Sequence, residues 1–318
     1  LGSSGCGKSV TLRCIAGIMT PDEGHIELDG QVFFDSESKI NLSPQKRHVG
    51  YLFQQYALFP NMTVERNISA AVREHDKKKE VAAEMLRVFQ LEDAAQKRPA
   101  ELSGGQQQRA ALARILATKP ALLLLDEPFS ALDSYLRYQL ELELMDTLSR
   151  FNGNVIWVSH DRGEAFRNCS RVCVIENGKS EHVVTMDSLF HDPGTESAAR
   201  LSGCKNFVSA IPEGSAVRIP DWNVTLQCDR PVPENVSSVG LRAHYFRFAT
   251  QGEENAISCG VERVIEDVFS EILMLRPEGS LSGAPLIRME TSKECWLSQT
   301  DKTSVTVCIS PQDILLLH

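Results

Sequence analysis

The sequence has no long apolar run. Its longest uninterrupted one, residues 121–125, is far short of the roughly 20 residues that a membrane-spanning helix needs. No charged-then-apolar signal segment opens the chain either. A peripheral role at a membrane is therefore the only membrane role the sequence leaves open. Positive charge is also short: 33 Lys and Arg against 42 Asp and Glu give a net charge of -9. That balance argues against nucleic acid as a partner, because coating phosphates needs a basic surface. The nine cysteines contain no paired CxxC framework. In a chain this large, which needs no staples, reduced cytosolic thiols are expected.

What is present suffices for a large core and two domains: 318 residues, 42% hydrophobic and 24% charged. Leu12, Ile15 and Ala16 mark one face of a helix that Gly17 can end. Residues 25–28 and 31–34 flank Asp29-Gly30, a strong two-residue hairpin signal. From Thr63, a plausible N-cap, to about Leu116 the pattern is helical, with Val81, Met85, Leu86 and Phe89 on one stripe. Residues 121–125 suit a buried parallel strand, and residues 155–159 and 172–175 read as further strands of the same sheet. Such alternation predicts an α/β domain with a parallel sheet covered on both faces. Near residue 200 the texture changes to alternating segments, residues 222–226 and 304–309, which predict a small β-barrel or sandwich.

Gly2-Ser3-Ser4-Gly5-Cys6-Gly7-Lys8-Ser9 fits the GxxxxGK[ST] phosphate loop, whose glycines let successive N–H groups turn inward around phosphate oxygens. Lys8 is expected to reach the phosphates and Ser9 to offer its hydroxyl to Mg²⁺, with Val10 opening the helix whose dipole adds to the site. Such loops normally follow a buried strand, so residues preceding Leu1 are expected. Cys6, beside Lys8 at a helix N-terminus, is expected to be the most reactive thiol. Asp126-Glu127 places two carboxylates at the C-terminal end of a buried strand, where open α/β sheets bind ligands. Asp126 suits Mg²⁺, and Glu127 suits the proton of an attacking water. Ser103, Gly104, Gly105 and Gln106 start another helix; Ser103 and Gln106 have the spacing of a capping box, and the two glycines leave N–H groups open to an anion. The chain's own nucleotide already has a loop, so this second anion site is read as serving a partner's nucleotide.

The phosphate loop, Leu102-Ser103-Gly104-Gly105-Gln106, and the apolar run ending in Asp126-Glu127-Pro128, followed by Ser130-Ala131-Leu132-Asp133, together resemble the ATP-binding subunits of ABC transporters, in order as well as wording. The resemblance covers residues 1 to about 190. It implies ATP and Mg²⁺ as cofactors and a P-loop ATPase domain at 1–198 with a helical subdomain at about 55–118. An OB-like, β-rich regulatory domain is expected at 199–318. It further implies that Gln54 touches Mg²⁺ and that His160 is the switch histidine. The implied assembly is a head-to-tail homodimer in which Ser103 and Gly105 of one copy face the nucleotide of the other. Residues 51–67 resemble the segment by which importers receive their permease, so permease subunits, and indirectly a solute-binding protein, are implied partners at the cytoplasmic face of the membrane. Residues 199–206 and 240–244 are most similar to molybdate and sulfate importers, and Lys205, Arg242 and His244 are candidate oxyanion ligands. Iron, sugar or polyamine import is the alternative. A non-transport ABC ATPase is opposed by the single ATPase domain and the absence of sustained heptads. A sensing module without catalysis is opposed by Lys8, Asp126, Glu127 and His160.

Overall fold

The computed structural model describes all residues except 54, 130–133, 150, 152, 250 and 251, and the side chains of 134–136. It divides into two compact units: Leu1–Cys169 with Ile175–Ser180, and Ser170–Val174 with Glu181–His318.

In the first unit, helix α1 (Lys8–Ala16) buries Leu12 and Ala16 and ends at Gly17, whose left-handed φ of 76° closes the last turn. A hairpin follows, β1 (His25–Leu28) with β2 (Gln31–Asp35), and β3 (Ile40–Asn41) pairs onto it. Asp29 and Gly30 both have positive φ, 50° and 80°, as a two-residue turn between twisted strands requires. Helix α2 (Pro44–Arg47) carries Arg47, only 1% exposed, whose guanidinium donates to the carbonyls of Cys14, Ile15 and Leu42 and to Asn41 Oδ1. It thereby adds a donor at the Cys14 and Ile15 carbonyls, at the C-terminal end of α1.

The central sheet is three parallel strands in the order β4 (Val49–Leu52), β5 (Leu122–Asp126), β6 (Asn154–Val158). Strand β4 was not foreseen. Alternation splits β5 between two layers. Leu122 and Leu124 pack with Tyr51, Val158 and α1, whereas Leu123 and Leu125 pack into the helical layer. Burying each leucine stabilises the fold by about 1.5–3 kcal/mol. The helical stretch divides into α3 (Val64–Ala71), α4 (Lys78–Val88) and α5 (Gly104–Leu116). Thr63 caps α3 by accepting from the Arg66 amide, and Gln90, with φ 52°, stops the chain just past α4. Helices α6 (Ser134–Leu148) and α7 (Arg162–Asn168) complete the unit.

Residues 172–175 do not join the parallel sheet. Arg171–Val172 pairs antiparallel with Val184–Thr185, and Ile175–Glu176 pairs with Lys179–Ser180. Asn177-Gly178, both with positive φ, reverses the chain within two residues, which leaves no length for the crossover that a parallel strand needs.

The second unit is mostly antiparallel sheet around a large apolar core. A five-stranded sheet runs in the order Arg247–Phe248, Ser304–Cys308, Ala256–Glu266, Ser270–Pro277, Ile287–Ser292. Two three-stranded sheets accompany it: Asn206–Ser209, Ser238–Leu241 and Ile314–Leu317, and Ile211–Glu213, Ala216–Ile219 and Val224–Gln227. Val208, Val217, Leu226, Val239, Leu273 and Ile314 bring all three into one core, a barrel-like arrangement. Trp222 is fully buried there, and its indole N–H donates to Pro285 O at 2.7 Å, so the ring packs without an unsatisfied donor. Among the described residues no helix is long and apolar enough to cross a membrane.

Candidate functional site

Residues 2–9 fold into a tight loop leading into α1. Gly7 is the N-cap with φ 107°, a conformation L side chains rarely adopt, and no side chain caps the helix. The amides of the first turn therefore stay available to an anion. Gly2 is packed so closely that a Cβ would meet Ile175 O at 2.2 Å and Cys6 Sγ at 2.6 Å. Lys8 is 5% exposed and curls into the loop, its ammonium donating to Gly2 O (2.9 Å) and Ser3 O (2.8 Å). Ser3, Ser4, Gly5 and Val10 are exposed around it. Cys6 is buried, with Sγ 3.8 Å from Lys8 Nζ, so the accessibility that high reactivity requires is missing.

The end of β5 meets this loop. Ser9 Oγ donates to Asp126 Oδ1 at 2.6 Å, across 117 residues of sequence. Asp126 is 6% exposed, and its other oxygen accepts from the Tyr51 hydroxyl at 2.7 Å. Burial foremost, then the adjacent Asp126 carboxylate, pushes the Tyr51 hydroxyl well above the ordinary phenol range, so Tyr51 stays a donor. A hydroxyl and a carboxylate oxygen converging beside a phosphate-type loop form the hard oxygen set that suits Mg²⁺.

Glu127 follows with φ 46°, a left-handed conformation that costs a non-glycine residue about 1–2 kcal/mol. Its amide donates to Val158 O at 3.0 Å, which holds the residue in place, and its Oε1 lies 3.4 Å from His160 Nδ1. Behind His160 stands a network that sequence reasoning missed. Ser159 Oγ donates to Glu164 Oε2 (2.7 Å) and accepts from the Asp161 amide (2.9 Å), while Trp157 Nε1 donates to Glu164 Oε1 (2.6 Å). Burial raises the Glu164 carboxyl above its ordinary range, although the Ser159 and Trp157 donors oppose it. Asp161 caps α7 by accepting from the amides of Gly163 (2.8 Å) and Glu164 (3.1 Å). Burial works to raise its pKa, but these amides outweigh it and hold the carboxyl below the ordinary range.

Ser103 and Gln106 form the expected capping box at the start of α5: Ser103 Oγ accepts from the Gln106 amide, and Gln106 Oε1 accepts from the Ser103 amide. These bonds join Ser103 and Gln106 to each other rather than to the phosphate loop. The expectations at Gln54 and at residues 130–133 lie outside the described residues. In the second unit Arg242 is 2% exposed and donates to Ser202 O, Ser202 Oγ and Phe190 O. A guanidinium committed to a buried corner is not placed to take an oxyanion, whereas Lys205 and His244 are exposed.

The family model described as ABC transporter matches residues 1–130. Among curated relatives, the putrescine transport ATP-binding protein PotG of Escherichia coli (strain K12) is 41% identical over 285 residues, 85% of this chain and 73% of the relative. The spermidine/putrescine import ATP-binding protein PotA of Lawsonia intracellularis is 42% identical over 210 residues, 64% of this chain and 55% of the relative. The sulfate/thiosulfate import ATP-binding protein CysA of Synechocystis sp. is 34% identical over 285 residues, 86% of this chain and 76% of the relative. The chain thus spans little more than half the length of one of these relatives and about three quarters of the other two.

Proposed function

Because the chain belongs to the ABC transporter family of ATP-binding proteins, we propose that it is the ATP-hydrolysing subunit of an importer. The observation that carries this reading is the convergence of Ser9 and Asp126 beside the phosphate loop, with Glu127 and His160 paired next to them. Residues 2–10 would bind the nucleotide phosphates, Lys8 exchanging its loop carbonyls for phosphate oxygens. Ser9 and Asp126, with Gln54, would hold Mg²⁺, which when bound draws charge off the phosphate oxygens. Glu127 would orient the attacking water and accept its proton, and His160 would hold Glu127 in place. Ser103, Gly104, Gly105 and Gln106 would complete the site of a second copy, giving a homodimer with two ATPs. Residues 199–318 would serve as a regulatory part.

Residues 51–67 support a permease partner at the cytoplasmic face of the membrane. Among them Phe53, Ala57 and Phe59 line an open groove with Arg114, Ile115 and Thr118, and Phe59 is half exposed. A solute-binding protein would act through that permease. For the solute, the higher identity to the putrescine protein over an alignment of equal length favours a polyamine. The likeness to the sulfate protein keeps an oxyanion, sulfate or molybdate, as the second reading. Purifying the chain with its membrane and solute-binding subunits, and measuring which solute stimulates phosphate release, tests both levels. Stimulation by putrescine or spermidine supports the first reading and by sulfate or molybdate the second. No nucleotide hydrolysis in the assembled complex would overturn the ATPase reading.

A further inference from the structure

We infer that Tyr51 is a positioning residue for the metal carboxylate, holding Asp126 so that one oxygen faces the ion before the ion arrives. The inference rests on the nucleotide and Mg²⁺ reading of the site. Strands β4 and β5 are parallel with Tyr51 opposite Leu124. Side chains two apart on a strand share a face, so Asp126 lies on the same side of the sheet as Leu124 and Tyr51. The tyrosine ring spans that diagonal, and its hydroxyl donates to Asp126 Oδ2 at 2.7 Å in a buried setting. Oδ1 is left on the side of Ser9, the other hard ligand. The two carboxylate oxygens are therefore used differently, Oδ2 being fixed by a donor from the sheet while Oδ1 is presented with the serine hydroxyl.

The ring itself has little freedom. Tyr51 is buried, and its ring meets that of Phe53 at a centroid distance of 4.5 Å. Phe53 immediately precedes Gln54 in sequence. Partners that hydrogen-bond a ligating group set its orientation, and losing one costs roughly 10–100-fold in metal affinity. A tyrosine that merely filled space would act through its ring, and phenylalanine would replace it.

The test separates the hydroxyl from the ring. ADP binding to the full chain is measured by calorimetry in EDTA and in saturating Mg²⁺, for the wild type and Tyr51→Phe, with metal-free melting temperatures alongside. Tyr51→Phe should weaken binding in Mg²⁺ by about tenfold or more and leave binding in EDTA within about twofold. Mn²⁺ added to the ADP complex, followed by electron paramagnetic resonance, should show the same loss of metal affinity. Equal losses in both buffers, or no loss in either, would overturn the positioning role while leaving the nucleotide site intact. Failure of the wild type itself to bind ADP in Mg²⁺ would instead overturn the nucleotide reading, and this inference with it.

Discussion

Glu127 carries the sharpest consequence at the scale of single residues. Its left-handed backbone, its amide bond to Val158 and its approach to His160 hold a carboxylate one residue beyond Asp126. Glu127→Gln keeps the shape and removes the carboxylate proposed as the base, so turnover should fall by about 100-fold or more while ADP affinity holds. Phosphate release and calorimetry measure the two, and a rate near that of the wild type would remove Glu127 from the chemistry. The cysteines form a second residue-scale case. Cys6 is buried within the loop, while Cys295 is exposed. Burial, then neighbouring Glu278, pushes the Cys259 thiol up to about 12, and burial, then Asp229, pushes Cys228 up to about 11. At pH 8 both stay protonated, so iodoacetamide should label Cys295 first and leave Cys228 and Cys259 unmodified in the folded chain. Peptide mapping over a time course reads this directly, and early labelling of Cys259 would contradict the packing of the barrel core. The preference for Cys6 at the sequence level followed from its neighbours in the motif; burial, which depends on how Gly2 and Ile175 pack, reverses it.

Among the elements, α7 is open to a single change, being seven residues long and started by one cap. Asp161 accepts two amides at its N-terminus and pairs with Arg137 Nη1 of α6 at 3.2 Å. Replacing it with alanine should cost about 1 kcal/mol and loosen His160, which immediately precedes it; asparagine, also a cap, should cost less. The pH dependence follows from the lowered carboxyl. A group whose folded pKa lies below its unfolded value of 3.8 contributes stability that is fully present above that value and is lost as pH falls through the folded pKa. Urea melts of the wild type and Asp161→Asn should therefore differ at pH 6 and converge as pH drops below about 3.8. A difference independent of pH would mean that the charge plays no part. The caps at Thr63 and Ser103 were legible in sequence because a cap is a local pattern of a short polar side chain and an amide three residues on. The Glu164 clamp on Trp157 and Ser159 was not, because nothing in the spacing says that a helix-borne carboxylate turns back onto the strand before it.

For the whole molecule, one prediction rests on the division into units and one on the role proposed for residues 103–106. The β-rich unit closes its own core from three sheets, so the polypeptide of residues 170–318 should fold alone with one cooperative transition by circular dichroism. A broad, non-cooperative melt would show that the core depends on the rest of the chain. If Ser103, Gly104, Gly105 and Gln106 serve a second copy, Glu127→Gln with MgATP should run as a dimer in light scattering, and ADP should return it to monomer. A monomer with saturating MgATP would leave those residues without the role proposed for them.

The sequence by itself determined the motifs whose parts are contiguous: the phosphate loop, the capping box, the Asp29-Gly30 hairpin and the acidic end of an apolar strand. Each rests on local backbone chemistry, on glycine's access to positive φ, on short polar side chains reaching nearby amides, and on apolar runs that must be buried. Only the tertiary structure decided what lies across the sheet. It brought Ser9 to Asp126, set Tyr51 beneath the same carboxylate through the register of β4 with β5, paired residues 171–176 outside the parallel sheet, and committed Arg242 to a buried corner. Strand order and register follow from packing summed over the whole core, and a hydrogen bond between a helix and a strand 117 residues apart leaves no periodic trace in either element.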